Sequence, residues 1–165
     1  MRILCLVLLS PLLLTMAAAQ EPADDAQSMT SYCNFADDNQ VSLQYSTSHK
    51  EEPQNGKVWV PGGSAPVLFV QTPLVLNNVQ IPLGGYTVYI IPNKKNWTLI
   101  VSKNTVVGAK YDEAHDLVRA TMEIAPLPDS SPALHVSFEH SAPKTCSLRF
   151  DYGKTAAFGA DFQEK

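Results

Sequence analysis

The stretch Gly84-Gly85-Tyr86-Thr87-Val88-Tyr89-Ile90-Ile91-Pro92-Asn93-Lys94-Lys95-Asn96-Trp97-Thr98-Leu99-Ile100-Val101-Ser102-Lys103 decides how the chain is read. Two runs of β-branched and aromatic residues flank a polar Pro-Asn-Lys-Lys-Asn segment, which is the pattern of a β-hairpin. Both faces of the runs are apolar: Tyr86, Val88 and Ile90 fall on one side, Tyr89 and Ile91 on the other. Strands covered on both faces belong in the middle of a sheet, so the hairpin is expected to be central. It carries no nucleophile, metal cluster or phosphate loop, so it reads as scaffold.

Working outward, residues 32–35 and 41–45 form a second hairpin candidate. Val41, Leu43 and Tyr45 alternate with Ser42, Gln44 and Ser46, and turn residues lie between the two runs. Residues 67–72 read as an apolar strand, and 74–81 as a tight hairpin with Asn77-Asn78 at its tip. Residues 117–124, 134–139, 146–152 and 155–158 complete the strands. Pro126, Pro128 and Pro132 mark a loop, and residues 151–154 a turn. With no helical period, about ten short strands predict an all-β fold. An antiparallel β-sandwich is expected, with a jelly-roll-like or barrel-like form as the alternative.

The first residues describe export. Met1-Arg2, the apolar run from Ile3 to Leu14 and Ala17-Ala18-Ala19 have the charged, apolar and small-residue order of a signal peptide, with cleavage expected after Ala19. The apolar run falls short of the ~20 residues that span a bilayer, so no transmembrane span is expected in the mature form. The domains therefore read as a signal at 1–19, a flexible leader at 20–30 and one β-sandwich domain at 31–165. The expected location is the periplasm or the exterior, and the expected state a monomer. The mature chain carries 11 basic and 16 acidic side chains with no basic stripe, which argues against nucleic acid as a partner. Its two cysteines, Cys33 and Cys146, are expected to pair in an oxidising compartment.

Gly56-Lys57-Val58-Trp59, the run from Pro82 to Pro92, the run from Trp97 to Lys103, and Tyr111-Asp112-Glu113 resemble, in order and spacing, the bacterial exported family catalogued as domain of unknown function 2911. The resemblance covers residues 32–158. It implies an all-β exported domain and no established activity. The family pattern places an Arg after the Trp, and a Gly-Arg-aromatic segment upstream. Here Val60-Pro61-Gly62-Gly63-Ser64 follows Trp59, and a short polar loop precedes it.

Two segments beside the hairpin hold the candidate ligand-binding residues: Trp59 and Ser64 in one, Tyr111, Asp112, His115 and Arg119 in the other. Asp112, Glu113 and Asp116 with His115 offer carboxylates and an imidazole for a cation or for acid/base work. Their spacing fits no Ca²⁺ loop or zinc signature, and charged loops are usually solvated connections. Trp59, Tyr86, Tyr89 and Trp97 are assigned mainly to the core. Trp59, beside a Pro-Gly-Gly bend, is the aromatic singled out for partial exposure. His135 and His140, five apart in a strand, point to opposite faces and are poor partners for one metal. No Gly-x-Ser-x-Gly elbow is present. The expected function is a non-catalytic binding or envelope-associated module, its partner a small molecule, glycan or envelope component, with no cofactor. The rivals are a small hydrolase or metal-dependent enzyme using the 112–119 loop, and a structural protein that docks a partner on a strand edge.

Overall fold

A computed structural model describes residues 26–48 and 52–165. The expected signal segment, the expected cleavage point at Ala19 and His49 lie outside the described residues. Among the described residues there are nine strands: β1 (Ser28–Asn34), β2 (Gln40–Ser46), β3 (Val67–Val70), β4 (Leu74–Leu76), β5 (Val79–Ile81), β6 (Gly84–Pro92), β7 (Asn96–Ser102), β8 (Asp116–Ala142) and β9 (Thr145–Glu164). They form one antiparallel sheet in the order β1-β2-β3-β6-β7-β8-β9-β4-β5. The fold is all-β, and its helical content among the described residues is two short 3₁₀ turns, at Pro61–Gly63 and Glu113–His115. No helix of the described residues is long and apolar enough to cross a membrane.

The opening stretch forms the β6–β7 hairpin in mid-sheet, with Pro92 opposite Trp97 and the Asn93 N–H donating to the Asn96 carbonyl at 3.0 Å. Tyr86, Val88, Ile90, Trp97, Leu99 and Val101 point into the core. Tyr89 and Ile100, opposite each other on the other face, are buried as well. The β4–β5 hairpin turns at Asn77 and Asn78, both with positive φ (47° and 63°), the conformation a type I′ turn requires.

The sheet closes on its own inner face. Cys33 of β1 is disulfide-bonded to Cys146 of β9, with Cα atoms 6.2 Å apart, although the two strands stand far apart in the sheet order. The Phe138 and Phe162 rings meet edge to face at 6.1 Å. The disulfide closes a loop of 113 residues, for which chain entropy gives about 4 to 5 kcal/mol as an upper figure.

Three boundaries differ from the sequence reading. Strand β1 runs from Ser28 to Asn34, beginning ahead of the strand expected at residues 32–35. The proline-rich stretch is not a break: β8 runs through it, with register shifts between Pro126, Ser131 and His135. The ladder is interrupted there, so prolines that lack an N–H cost little. The turn expected at residues 151–154 is likewise absent. Strand β9 continues through Gly153, whose φ of 57° accommodates the irregularity opposite Ser131. Each long strand takes the place of two expected short ones, with register irregularities in the ladder where the two were expected to meet.

Candidate functional sites

The loop that carries Tyr111 and Asp112 lies across the outer face of the central hairpin. Its ends are fixed by the Lys103 N–H donating to the His115 carbonyl at 2.9 Å and by the Thr87 hydroxyl donating to the Asn104 carbonyl. The Tyr111 ring packs on Tyr89 at 5.0 Å, which is why an outer-face tyrosine is buried.

Asp116, Arg119 and Tyr111 form one cluster. Asp116 Oδ2 accepts from Tyr111 Oη at 2.8 Å, from Arg119 Nε at 2.8 Å and from Arg119 Nη2 at 2.7 Å. The second Arg119 nitrogen also donates to Tyr111 Oη at 2.8 Å and pairs with Glu113 at 3.0 Å. Residues three apart in a strand ordinarily face opposite ways. Here Val101 pairs with Val118 but Ser102 pairs with Asp116, so Leu117 is an extra residue that turns both Asp116 and Arg119 to the outer face. Burial and the hydrogen bond to Asp116 push the Tyr111 hydroxyl up to about 12, so it stays protonated near neutral pH. The hydrogen bond to Asp116 raises Arg119 further. Asp116 Oδ1 is buried without a hydrogen-bond partner among the described residues. The group compensates its own charge and anchors the loop.

The sequence-level candidates therefore separate. Tyr111 and Arg119 belong to this cluster. Asp112 instead caps the 3₁₀ turn, accepting from the Ala114 N–H at 3.0 Å, and pairs with His115 at 3.0 Å in an exposed position. Trp59 is a correction: it is 3% exposed and does not reach the surface. Its backbone bridges Ile90, with N–H···O distances of 2.7 and 3.1 Å, so the irregular segment extends the free edge of β6. That bridge turns the indole inward against Trp97 at 5.8 Å and Tyr152 at 5.1 Å. Gly62 makes the bend possible: at φ +74° a Cβ would sit 2.1 Å from the Ser46 carbonyl oxygen.

Ser64 is exposed and lines a groove of about 360 Å³ with Ser28, Gln44, Ser46 and Val67. This groove opens onto the outer face of β1, β2 and β3, where the register aligns Thr30 with Gln44 and Val67, and Tyr32 with Ser42, Phe69 and Gly85. Asn34 and Gln40 form the next row. Among the described residues of this face none is charged, in a chain of net charge −4. Tyr32 is 59% and Phe69 44% exposed, and the Phe69 ring lies against Gly85. The alternation of Ser42, Gln44 and Ser46 marks this face in the sequence. Tyr32 and Phe69 carry no such mark, because strand order alone sets them in one row.

The third constellation joins residues the chain keeps far apart. His140 lies opposite Cys146 on the β8–β9 ladder, and its Nε2 is 3.5 Å from Cys33 Sγ.

No curated protein and no solved structure matches the chain. The family described as "protein of unknown function (DUF2911)" matches residues 26–158, most of the chain and nearly all of the described fold. The chain therefore belongs to the DUF2911 family.

Proposed function

We propose that the chain is an exported, monomeric, non-catalytic binding module whose ligand is an uncharged glycan, held on the outer face of β1, β2 and β3. The observation that carries the reading is the uncharged face itself, with Tyr32 and Phe69 exposed among amides and hydroxyls. A sugar offers hydroxyls that both donate and accept, which Asn34, Gln40, Gln44, Ser42 and Ser64 can meet. It also offers apolar C–H faces that stack on aromatic rings. Tyr32 and Phe69 are one strand apart from touching, roughly 10 Å between backbones, so a chain laid across the strands meets a ring at each end. The buried disulfide and the signal-like first residues support export.

The enzyme reading has less support. The carboxylate, guanidinium and phenol at the 112–119 loop satisfy one another, and the phenol is held away from the pKa of a base at neutral pH.

The test is affinity electrophoresis of the mature chain in gels holding neutral polysaccharides, beside charged ones. Retardation by a neutral polymer is expected, weakened about tenfold by Tyr32→Ala or Phe69→Ala. The melting temperature should change little, because both rings are surface groups. Retardation that ignores both substitutions, or none with any neutral polymer, defeats the proposal.

A further inference from the structure

We propose that Cys33, Cys146 and His140 form a redox-gated zinc site, closed while the disulfide stands and open when it is reduced. One ligand atom from each of the three residues lies within 4.8 Å of the others. Tetrahedral zinc with Zn–S near 2.3 Å and Zn–N near 2.0 Å needs S···N of about 3.6 Å and S···S of about 3.8 Å. Cys33 Sγ already stands 3.5 Å from His140 Nε2 and 3.8 Å from Nδ1. The cysteine Cα atoms, 6.2 Å apart, allow the freed sulfurs to separate by side-chain rotation without moving the strands.

The arrangement is held from three sides. Cys33 lies on β1, while His140 and Cys146 face each other across the β8–β9 ladder near its closed end. Both sulfurs are buried and the imidazole is exposed, so an ion enters past His140. Three protein ligands leave the fourth position to water.

Opening the site takes a two-electron reductant, either a dithiol or a phosphine that becomes its oxide with the oxygen of one water. With a dithiol, two electrons and two protons pass to the disulfide, which becomes two thiols while the dithiol becomes a disulfide. Zinc then displaces the two thiol protons, and the dication with two thiolates is neutral overall. The same site is open in a newly exported chain before its disulfide closes. Metal capture and disulfide formation thus compete for the same sulfurs.

The test uses Co²⁺ as a spectroscopic stand-in, added to the full mature chain before and after treatment with a phosphine reductant. The reduced chain is expected to take up one equivalent, with intense tetrahedral ligand-field bands and a thiolate-to-metal band, displaced by Zn²⁺. The oxidised chain should give neither band. His140→Ala should weaken uptake at least tenfold with the oxidised fold unchanged by circular dichroism, and His135→Ala should leave uptake unaltered. A reduced chain that binds no Co²⁺, one that unfolds on reduction, or uptake indifferent to His140→Ala overturns the proposal.

Discussion

Removing the guanidinium from the loop anchor is the most direct probe of the outer-face cluster. Arg119→Met keeps much of the stem volume but strips two hydrogen bonds and the counter-charge from Asp116. The Asp116 side chain is 12% exposed and one of its oxygens already lacks a partner, so its charge is left with only the Tyr111 hydroxyl. Stranding one member of a fully buried pair costs 3 to 5 kcal/mol. Arg119 is 38% exposed, so solvent screening reduces this to about 2 kcal/mol. In a domain of this size that lowers Tm by about 6 °C. Asp116→Asn alone should cost about 1 kcal/mol, because the exposed side of Arg119 still reaches Glu113 and water. In the Arg119→Met background it should cost nothing or stabilise, since it removes the stranded charge. The expected coupling is about 1 kcal/mol or more, read from urea melts of the four proteins with unchanged m-values. Costs that add to within about 0.5 kcal/mol would show a surface ion pair of no structural consequence, and the anchor reading would fall.

Three further outcomes follow from named contacts. Trp59→Ala should cost about 3 to 5 kcal/mol by denaturant melts, as the indole fills the space between Trp97 and Tyr152, and an effect below 1 kcal/mol would contradict its core placement. Gly62→Ala should cost about 2 kcal/mol or more, because the new methyl meets the Ser46 carbonyl and the residue is held at positive φ; a neutral Tm would show that the segment does not pass so close. Tyr111 has a folded pKa above the unfolded value, so its contribution is complete below pH 10 and is lost as pH rises toward about 12. Tyrosinate absorbance should show a late-titrating group that Tyr111→Phe removes, and a wild-type titration without one would refute the buried hydrogen bond.

Much of the fold is legible because it rests on local pattern. The period-two alternation of residues 41–46, the doubly apolar runs of the β6–β7 hairpin and the Asn77-Asn78 tip depend only on side-chain chemistry and turn sterics. The pairing of Cys33 with Cys146 was legible because Cys5 falls in the signal-like first residues, which leaves two cysteines to the rest of the chain. The prolines of residues 126–132 misled because a proline breaks a strand only where its N–H is needed. Whether it is needed depends on the opposite strand.

The sites were legible as segments and illegible as constellations. By itself the sequence determined the all-β class, the central hairpin, the paired cysteines and the family pattern, each set by local propensity, composition or order along the chain. Tertiary structure alone decided that Trp59 turns inward, because its backbone finds Ile90. It alone set Asp116 and Arg119 on one face, because Leu117 is an extra residue against β7. It alone brought Tyr32 into line with Phe69, and His140 to Cys33. Each of these turns on strand register, and a shift of one residue reverses the face a side chain presents. Register is fixed by the partner strand, which the local sequence does not contain.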